Sequence, residues 1–292
     1  MTADILSCIH NKMSGFSKGQ KRIAAYILES YDKAAFQTAG TLGRTVNVSE
    51  STVVRFAAEL GYDGYPAMQK ALQEMVLNRL TAVQRIEVSS ERLGEQDILS
   101  TILLTTVIQS DMDKLRVSME CIDRTAFAGA VDALLSARRV YILGVRSSAA
   151  LAEFFGYYLN YMFEDVRVVT GASESEMFEK IVHVAPQDAV VGISFPRYST
   201  ATSKALQYCA SAGAQVIALT DCETAPIAQS ADYLLTAKSD MVSLVDSLVA
   251  PMSLINALIV AVASLRRQEV TKTLDSLERV WDRYGVYEKV DG

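Results

Sequence analysis

Histidine is scarce, and cysteine is too dispersed to build anything. Only two histidines and four cysteines occur in 292 residues, and Cys8, Cys121, Cys209 and Cys222 form no C-x-x-C pair. That spacing argues against a metal site or a disulfide framework, so no cofactor is expected. No N-terminal segment joins basic residues to an apolar core, as a secretory leader would. The longest apolar stretch, Leu248 to Leu265, is interrupted by Pro251, Ser253 and Asn256. Its most apolar part, Leu254 to Ala263 with Asn256 as the one polar residue, is far shorter than the roughly 20 residues of a membrane span. A buried helix and a cytoplasmic location are expected. Internal repeats and low-complexity tracts are also lacking.

What is present is an ordinary globular composition, 50% hydrophobic and 21% charged, in a chain long enough for two domains. The net charge of −6 is unevenly spread. Residues 1–80 hold nine Lys/Arg against seven Asp/Glu, a surplus of two, which leaves −8 for the remainder. A nucleic-acid-binding module needs positive charge only where it meets phosphates, so the asymmetry permits such a module without establishing one.

Short helices are expected in the first third. Ser17 is placed to cap a helix over Lys18–Glu29, with Ile23, Tyr26 and Ile27 on one face. A second helix covers Thr38–Thr45 and a third Glu50–Leu60, stopped by Gly61. Pro66 suits the first turn of the next. Residues 77–138 hold helical spacing (Ile98, Ile102, Leu103, Val107) without strand signals. From Arg139 short β-type runs at 140–143, 166–169, 189–193 and 215–219 alternate with helical stretches at 151–163, 174–183 and 200–212. Tyr233–Leu235 supplies a fifth strand. The fold class expected is α/β: an all-α N-terminal bundle plus a five-stranded parallel sheet with helices on both faces. The expected domains are 1–80, a helical linker over 81–122, and 123–292, closed by a helical C-terminus over 244–284. In that closing segment Leu248, Leu254, Leu258 and Val262 should pack on the sheet, on a partner subunit, or on both.

The stretch from Thr41 to Phe56 has helix-turn-helix logic. Leu42 points inward, a tight turn follows at Thr45–Val48, and Ser49 caps a helix expected to bury Val53, Val54 and Phe56, with Ala57 and Leu60. The opening polar residues Glu50, Ser51 and Thr52 stay free for a DNA groove, as at the start of a recognition helix. Arg55, one turn on, reaches a phosphate or a guanine edge. Lys18, Lys21 and Arg22 are candidate backbone contacts. Spacing alone also fits any three-helix bundle with a serine cap. The string V-S-E-S-T-V-V-R-F (48–56) followed by L-G-Y-D-G-Y (60–65) strongly resembles the N-terminal domain of the RpiR (RpiR/MurR) family of sugar-responsive transcription regulators, over roughly residues 5–80. The resemblance implies that Ser49, Ser51, Thr52 and Arg55 lie on the DNA-facing helix, with Gly61 and Tyr65 structural.

Residues 139–236 look like the sugar isomerase (SIS) domain that follows in that family. Independently, open parallel sheets bind ligands at the carboxyl ends of their strands, where helix N-termini hold anions. Two loops stand out there. Gly144-Val145-Arg146-Ser147-Ser148 follows the first strand, and Ser194-Phe195-Pro196-Arg197-Tyr198-Ser199-Thr200 follows the third. Hydroxyls at helix starts either cap the helix or donate to a bound phosphate. The family pattern shows G-x-G-x-S in the first loop and S-x-S-G-x-T in the second. Here Arg146 replaces a loop glycine and Pro196-Arg197 replace a Ser-Gly pair, while Ser148, Ser194 and Ser199 match hydroxyl positions. Arg146 and Arg197 therefore either grip an acidic effector, phosphate or carboxylate, or pair with Glu174 or Glu176 and fill the pocket. Glu174, Glu176 and Glu179 are placed to line it, and Asp221 caps its loop or contacts ligand.

Isomerisation needs a placed acid/base pair. His10 falls in the N-terminal domain and His183 near a helix end, where a structural role outweighs catalysis. The resemblance implies a non-enzymatic regulator of carbohydrate-metabolism genes, bound to double-stranded, palindromic operator DNA as a homodimer or homotetramer. Its effector would be a phosphosugar or another acidic sugar derivative. The alternative is a sugar phosphate isomerase-type enzyme.

Overall fold

The computed structural model describes residues 5–79, 100–171, 173–240 and 245–287. The chain divides into two compact units, Met1–Ile98 and Leu99–Gly292.

The first unit is all helical: α1 (Ile5–Lys12), α2 (Lys18–Glu29), α3 (Tyr31–Ala34), α4 (Ala39–Thr45), α5 (Glu50–Glu59) and α6 (Gly64–Arg79). Its helix starts are written in the sequence. Ser17 and Gln20 form a reciprocal capping box at α2, while Thr38 and Ser49 cap α4 and α5 through Thr41 N and Thr52 N. Such caps stabilise a helix end by about 1 kcal/mol each. Gly61 follows α5 with φ +96°, a conformation that costs glycine nothing. Ile23, Ile27, Leu42, Val53, Phe56, Met68 and Leu72 are buried together, and the Phe16 and Phe56 rings meet at 5.1 Å. Val54 is not part of this core, contrary to the expectation, and is 41% exposed. Val53, Phe56, Ala57 and Leu60 already fill the inward stripe at i, i+3, i+4 and i+7. Residue 54 is turned about 100° from residue 53.

The second unit begins with α7 (Ser100–Cys121) and α8 (Arg124–Ser136). Residues 80–99, including Ile98, lie outside the described residues. Five parallel strands follow: β1 (Val140–Gly144), β2 (Val166–Val169), β3 (Ala189–Ile193), β4 (Gln215–Thr220) and β5 (Tyr233–Thr236). They alternate with α9 (Ser147–Leu159), α10 (Glu174–Ile181) and α11 (Thr200–Ser211). Both faces of the sheet are covered. Ile142, Val191, Ile217 and Leu219 pack beneath α9 and the C-terminal α12 (Val249–Leu265). Tyr141, Leu143, Val190 and Val216 pack against α10 and α11. The near-continuous apolar strands follow from this two-sided burial.

Helix α9 starts four residues earlier than expected, because Arg146 itself makes the turn with φ +58°. The expected C-terminal helix is two helices, α12 and α13 (Arg267–Tyr284), bent by 97°. The break is at Arg266, whose guanidinium stacks on Phe163 at 4.5 Å. Leu254, Leu258 and Val262 of α12 are buried in the core, whereas α13 buries no residue. No single helix among the described residues is long and apolar enough to cross a membrane.

Candidate DNA-binding surface and effector crevice

The turn before α5 is held by backbone. Val48 N donates to Gly43 O at 2.8 Å, Asn47 adopts φ +54°, and Arg22 Nη1 donates to Asn47 O at 3.0 Å. Arg22 is thus engaged with the turn rather than left free for phosphates. At the start of α5, Ser49 Oγ lies 2.9 Å from Ser51 Oγ and 2.8 Å from Thr52 Oγ1, so cap and opening hydroxyls share one network. Ser49, Ser51 and Arg55 are exposed. The first turn of α2 leans on this end: a Cβ placed on Gly19 would lie 3.3 Å from the Thr52 methyl. Lys18 is therefore brought beside the start of α5, and Lys21 is exposed one turn on. Lys18, Lys21 and Arg55 make no side-chain hydrogen bond or ion pair among the described residues, leaving three cations available. Glu50 turns away, its carboxylate lying over Gly40 in the first turn of α4, where the helix dipole favours an anion. The sequence does not single out Gly43, and it offers Arg22 for DNA phosphates instead of the turn, because their roles in this motif lie in contacts outside the i, i+3, i+4 pattern.

In the second unit the strand order is β2-β1-β3-β4-β5. From β1 the chain winds outward to β2; from β3 it winds the opposite way to β4. The reversal between β1 and β3 opens a crevice at their carboxyl ends. Gly144 pairs with Ile193 across it, so the Arg146 and Arg197 loops leave the sheet side by side. Both arginines are exposed, and their side chains make no hydrogen bond or ion pair among the described residues. Their alternative partners are taken: Glu174 pairs with Lys204 at 2.6 Å. Glu176 closes the Ser173 capping box, and hydrogen bonds from the Ser173 backbone and side chain hold its carboxyl below the usual range.

The hydroxyls divide between structural and open roles. Ser199 caps α11 through Thr202 N, and Ser194 Oγ accepts from Ser199 N at 3.2 Å. Thr202, one turn into α11, is fully buried with its hydroxyl unpartnered among the described residues. Helix α9 has no side-chain cap; Ser147 is exposed and Ser148 buried at its start. Thr200 is exposed at the start of α11. The Tyr198 hydroxyl donates to Asp221 Oδ1 at 2.7 Å and approaches Cys222 Sγ at 3.5 Å. Burial, then the Asp221 charge, pushes its pKa well above the ordinary tyrosine value, so Tyr198 is a fixed neutral donor. Asp221 thus ties the β3 and β4 loops together and also accepts from Thr220. His183 is exposed in the turn after α10. That turn leads into the amino end of β3, on the edge of the sheet opposite the crevice. Among the described residues no cluster of three or more His, Cys, Asp or Glu could hold a metal ion.

Two family descriptions match the chain: "Helix-turn-helix domain, rpiR family" over residues 3–78 and "SIS domain" over residues 133–261. The HTH-type transcriptional regulator HexR of Escherichia coli is 27% identical over 238 residues, 80% of this chain and 77% of HexR. An HTH-type transcriptional regulator of Haemophilus influenzae is 25% identical over 80% of both chains. Among solved structures, the sugar isomerase domain of an RpiR transcription factor from Sphaerobacter thermophilus superposes with TM-score 0.58 at 29% identity, covering 61% of this chain and 98% of that one. The Vibrio vulnificus NanR protein, solved in complex with ManNAc-6P, superposes with TM-score 0.57 at 20% identity, covering 95% and 98%; at that identity the likeness concerns the fold. With the rpiR-type helix-turn-helix and the SIS domain in one chain, this protein belongs to the RpiR family of HTH-type transcriptional regulators.

Proposed function

We propose that this regulator acts on carbohydrate-metabolism genes and is controlled by an acidic sugar derivative, a phosphosugar or a sugar acid, bound in the crevice between β1 and β3. The observation carrying this reading is the sheet reversal flanked by two unpaired arginine loops, with Gly144 opposite Ile193. Arg146 and Arg197 supply the forks for the anionic group. The uncapped start of α9 adds backbone N–H donors and a favourable dipole, and Ser147, Ser148, Ser194 and Thr200 offer hydroxyls. Glu174 is held by Lys204 at the rim. NanR, which shares the fold, is a precedent for a phosphosugar in such a domain.

DNA is read by Ser51, Thr52 and Arg55, with Ser49 holding the helix start and Lys18 and Lys21 on phosphates. A homodimer on a two-fold operator fits a helix-turn-helix reader. Effector binding then biases subunit packing and with it the spacing of the recognition helices. The reading is non-catalytic, because His183 lies on the wrong edge of the sheet and Glu174 is occupied.

The test is a thermal-shift panel of phosphosugars, sugar acids and uncharged sugars on the purified chain. A ligand well above its Kd stabilises by a few kcal/mol. Stabilisation by acidic compounds, lost in Arg197→Ala while operator binding persists, supports the reading. Stabilisation by uncharged sugars alone, or an unaltered response in Arg197→Ala, refutes it.

A further inference from the structure

Val54 is the one large apolar side chain left exposed on the first unit among the described residues, at 41% exposure. It lies on the candidate reading surface. Val53, Phe56, Ala57 and Leu60 are buried, while Ser51, Val54, Arg55 and Ala58 occupy the opposite, exposed side of α5. Spacings of three and four residues make these side chains neighbours on the helix surface. Val54 therefore has a hydroxyl ahead of it, a cation beside it and a methyl group behind. Nothing in the folding of the unit calls for a valine here. It is not part of the core, and a β-branched residue is a poorer helix former than the lysine, glutamate or glutamine of a solvated face.

We propose that Val54 is a specificity-determining residue that packs on the C5-methyl group of a thymine in the major groove, so that each operator half-site carries an A·T pair read by an apolar contact. The inference rests on the reading of α5 as the recognition helix, and adds a base that the polar side chains of that helix do not select.

The chemistry of the groove singles out thymine. Of the base edges exposed there, thymine's presents a methyl group. The others present donors and acceptors that a valine would dehydrate without replacing their hydrogen bonds. A mismatched pair under Val54 is thus disfavoured as well as unrewarded. The surroundings favour DNA over a protein partner. A protein interface gathers several apolar and aromatic anchors at its centre, whereas Val54 stands alone. Ser51 and Arg55 flank it, and Lys18 and Lys21 are exposed nearby on α2, which suits a groove lined by phosphates. From Ser51 to Ala58 the helix rises about 10 Å, so the thymine lies within about three base pairs of the base that Arg55 reads.

The experiment selects duplexes from a random library on the full chain and takes the tightest as the probe. Each thymine is then replaced by uracil, at equivalent positions of both half-sites together. Uracil keeps every hydrogen-bonding group of thymine and lacks only the methyl. At one position wild type should lose about fourfold in affinity per half-site, the worth of one buried methyl group. Val54→Ala should bind the thymine probe more weakly and lose nothing further when that thymine becomes uracil. Its exposed position and alanine's better helix propensity preserve the fold. The loss should be the same at low and high salt, because no phosphate contact is removed. Uracil replacements that cost wild type nothing overturn the assignment without any variant being needed. A Val54→Ala chain that still separates thymine from uracil as wild type does overturns it too. In either case, selectivity lost in Arg55→Ala leaves the recognition-helix reading standing. A chain that selects no sequence, or selects the same one after Arg55→Ala and Val54→Ala alike, overturns both.

Discussion

Gly43 and Val48 meet across the helix-turn-helix turn so closely that a Cβ on Gly43 would lie 2.9 Å from the Val48 carbonyl oxygen. The obstacle is backbone, and the same pair is joined by the Val48 N to Gly43 O hydrogen bond. A methyl group cannot enter without prising α4 from α5. Gly43→Ala should therefore destabilise the N-terminal unit by about 1–3 kcal/mol, despite alanine's better helix propensity. Urea unfolding followed by circular dichroism measures it, and an unchanged midpoint would show that the turn yields freely.

Arg55 and Lys18 should fail differently when removed. A side chain reading a guanine edge contributes about 1–3 kcal/mol of discrimination, and its loss relaxes specificity at that base. A phosphate contact weakens binding uniformly and lowers the salt slope by about one. Anisotropy titrations of Arg55→Ala and Lys18→Ala, on operator and scrambled duplexes across a salt series, separate the two. Equal losses on both duplexes for Arg55→Ala would move that residue from base to phosphate.

Much of this architecture was legible because it is local. Ser17, Thr38 and Ser49 announce helix starts through a polar cap before an apolar period, and the strands announce themselves because two-sided burial leaves their interiors almost wholly apolar, Arg167 of the edge strand β2 being the exception. The crevice was legible only in part. Loops after β1 and β3 could be singled out, but their adjacency depends on strand order, which no local pattern encodes. The pairing of Glu174 with Lys204, 30 residues on, and the grip of Arg22 on Asn47 are long-range choices among equivalent charges. Val54 was misplaced for a different reason. An apolar residue between buried Val53 and Phe56 looks buried, yet residue 54 is turned about 100° from residue 53 and so leaves the inward face.

Asp165 gives the second unit an acid-sensitive anchor at the start of β2. Burial alone would raise its pKa, but hydrogen bonds from Arg139 and Arg167 outweigh this and leave it below the ordinary value of 3.8. A carboxylate with a depressed folded pKa contributes stability above its unfolded pKa, and that stability is lost as pH falls through the folded value. Wild type should thus be more stable than Asp165→Asn at neutral pH. The gap should close below about pH 4, as the unfolded carboxyl binds protons first. The side chain is 37% exposed, so solvent screening holds the difference under about 1 kcal/mol. A gap that widens on acidification would contradict the assignment of Asp165 as the charged partner of both arginines.

Arg146 holds φ +58° and ψ −128°, a region that glycine enters freely and a residue with a Cβ enters at a cost of about 1–3 kcal/mol. It does so at the mouth of the crevice, without an ion pair among the described residues. Strain retained without a structural partner is reasonable where the guanidinium serves a ligand. Arg146→Gly should relieve the backbone and, after the greater chain entropy of glycine when unfolded, leave a net gain of roughly 1 kcal/mol, or about 2–4 °C in Tm. The same change should abolish stabilisation by acidic sugars. Arg146→Ala separates the two effects, keeping the strain while losing the charge: no gain in Tm, and the same loss of ligand response. Calorimetry of the three proteins, with and without an acidic sugar found by the thermal-shift panel, decides the matter. If Arg146→Gly melts lower than wild type, the strained turn is held by contacts of its own; if its ligand shift is intact, the anion is gripped elsewhere.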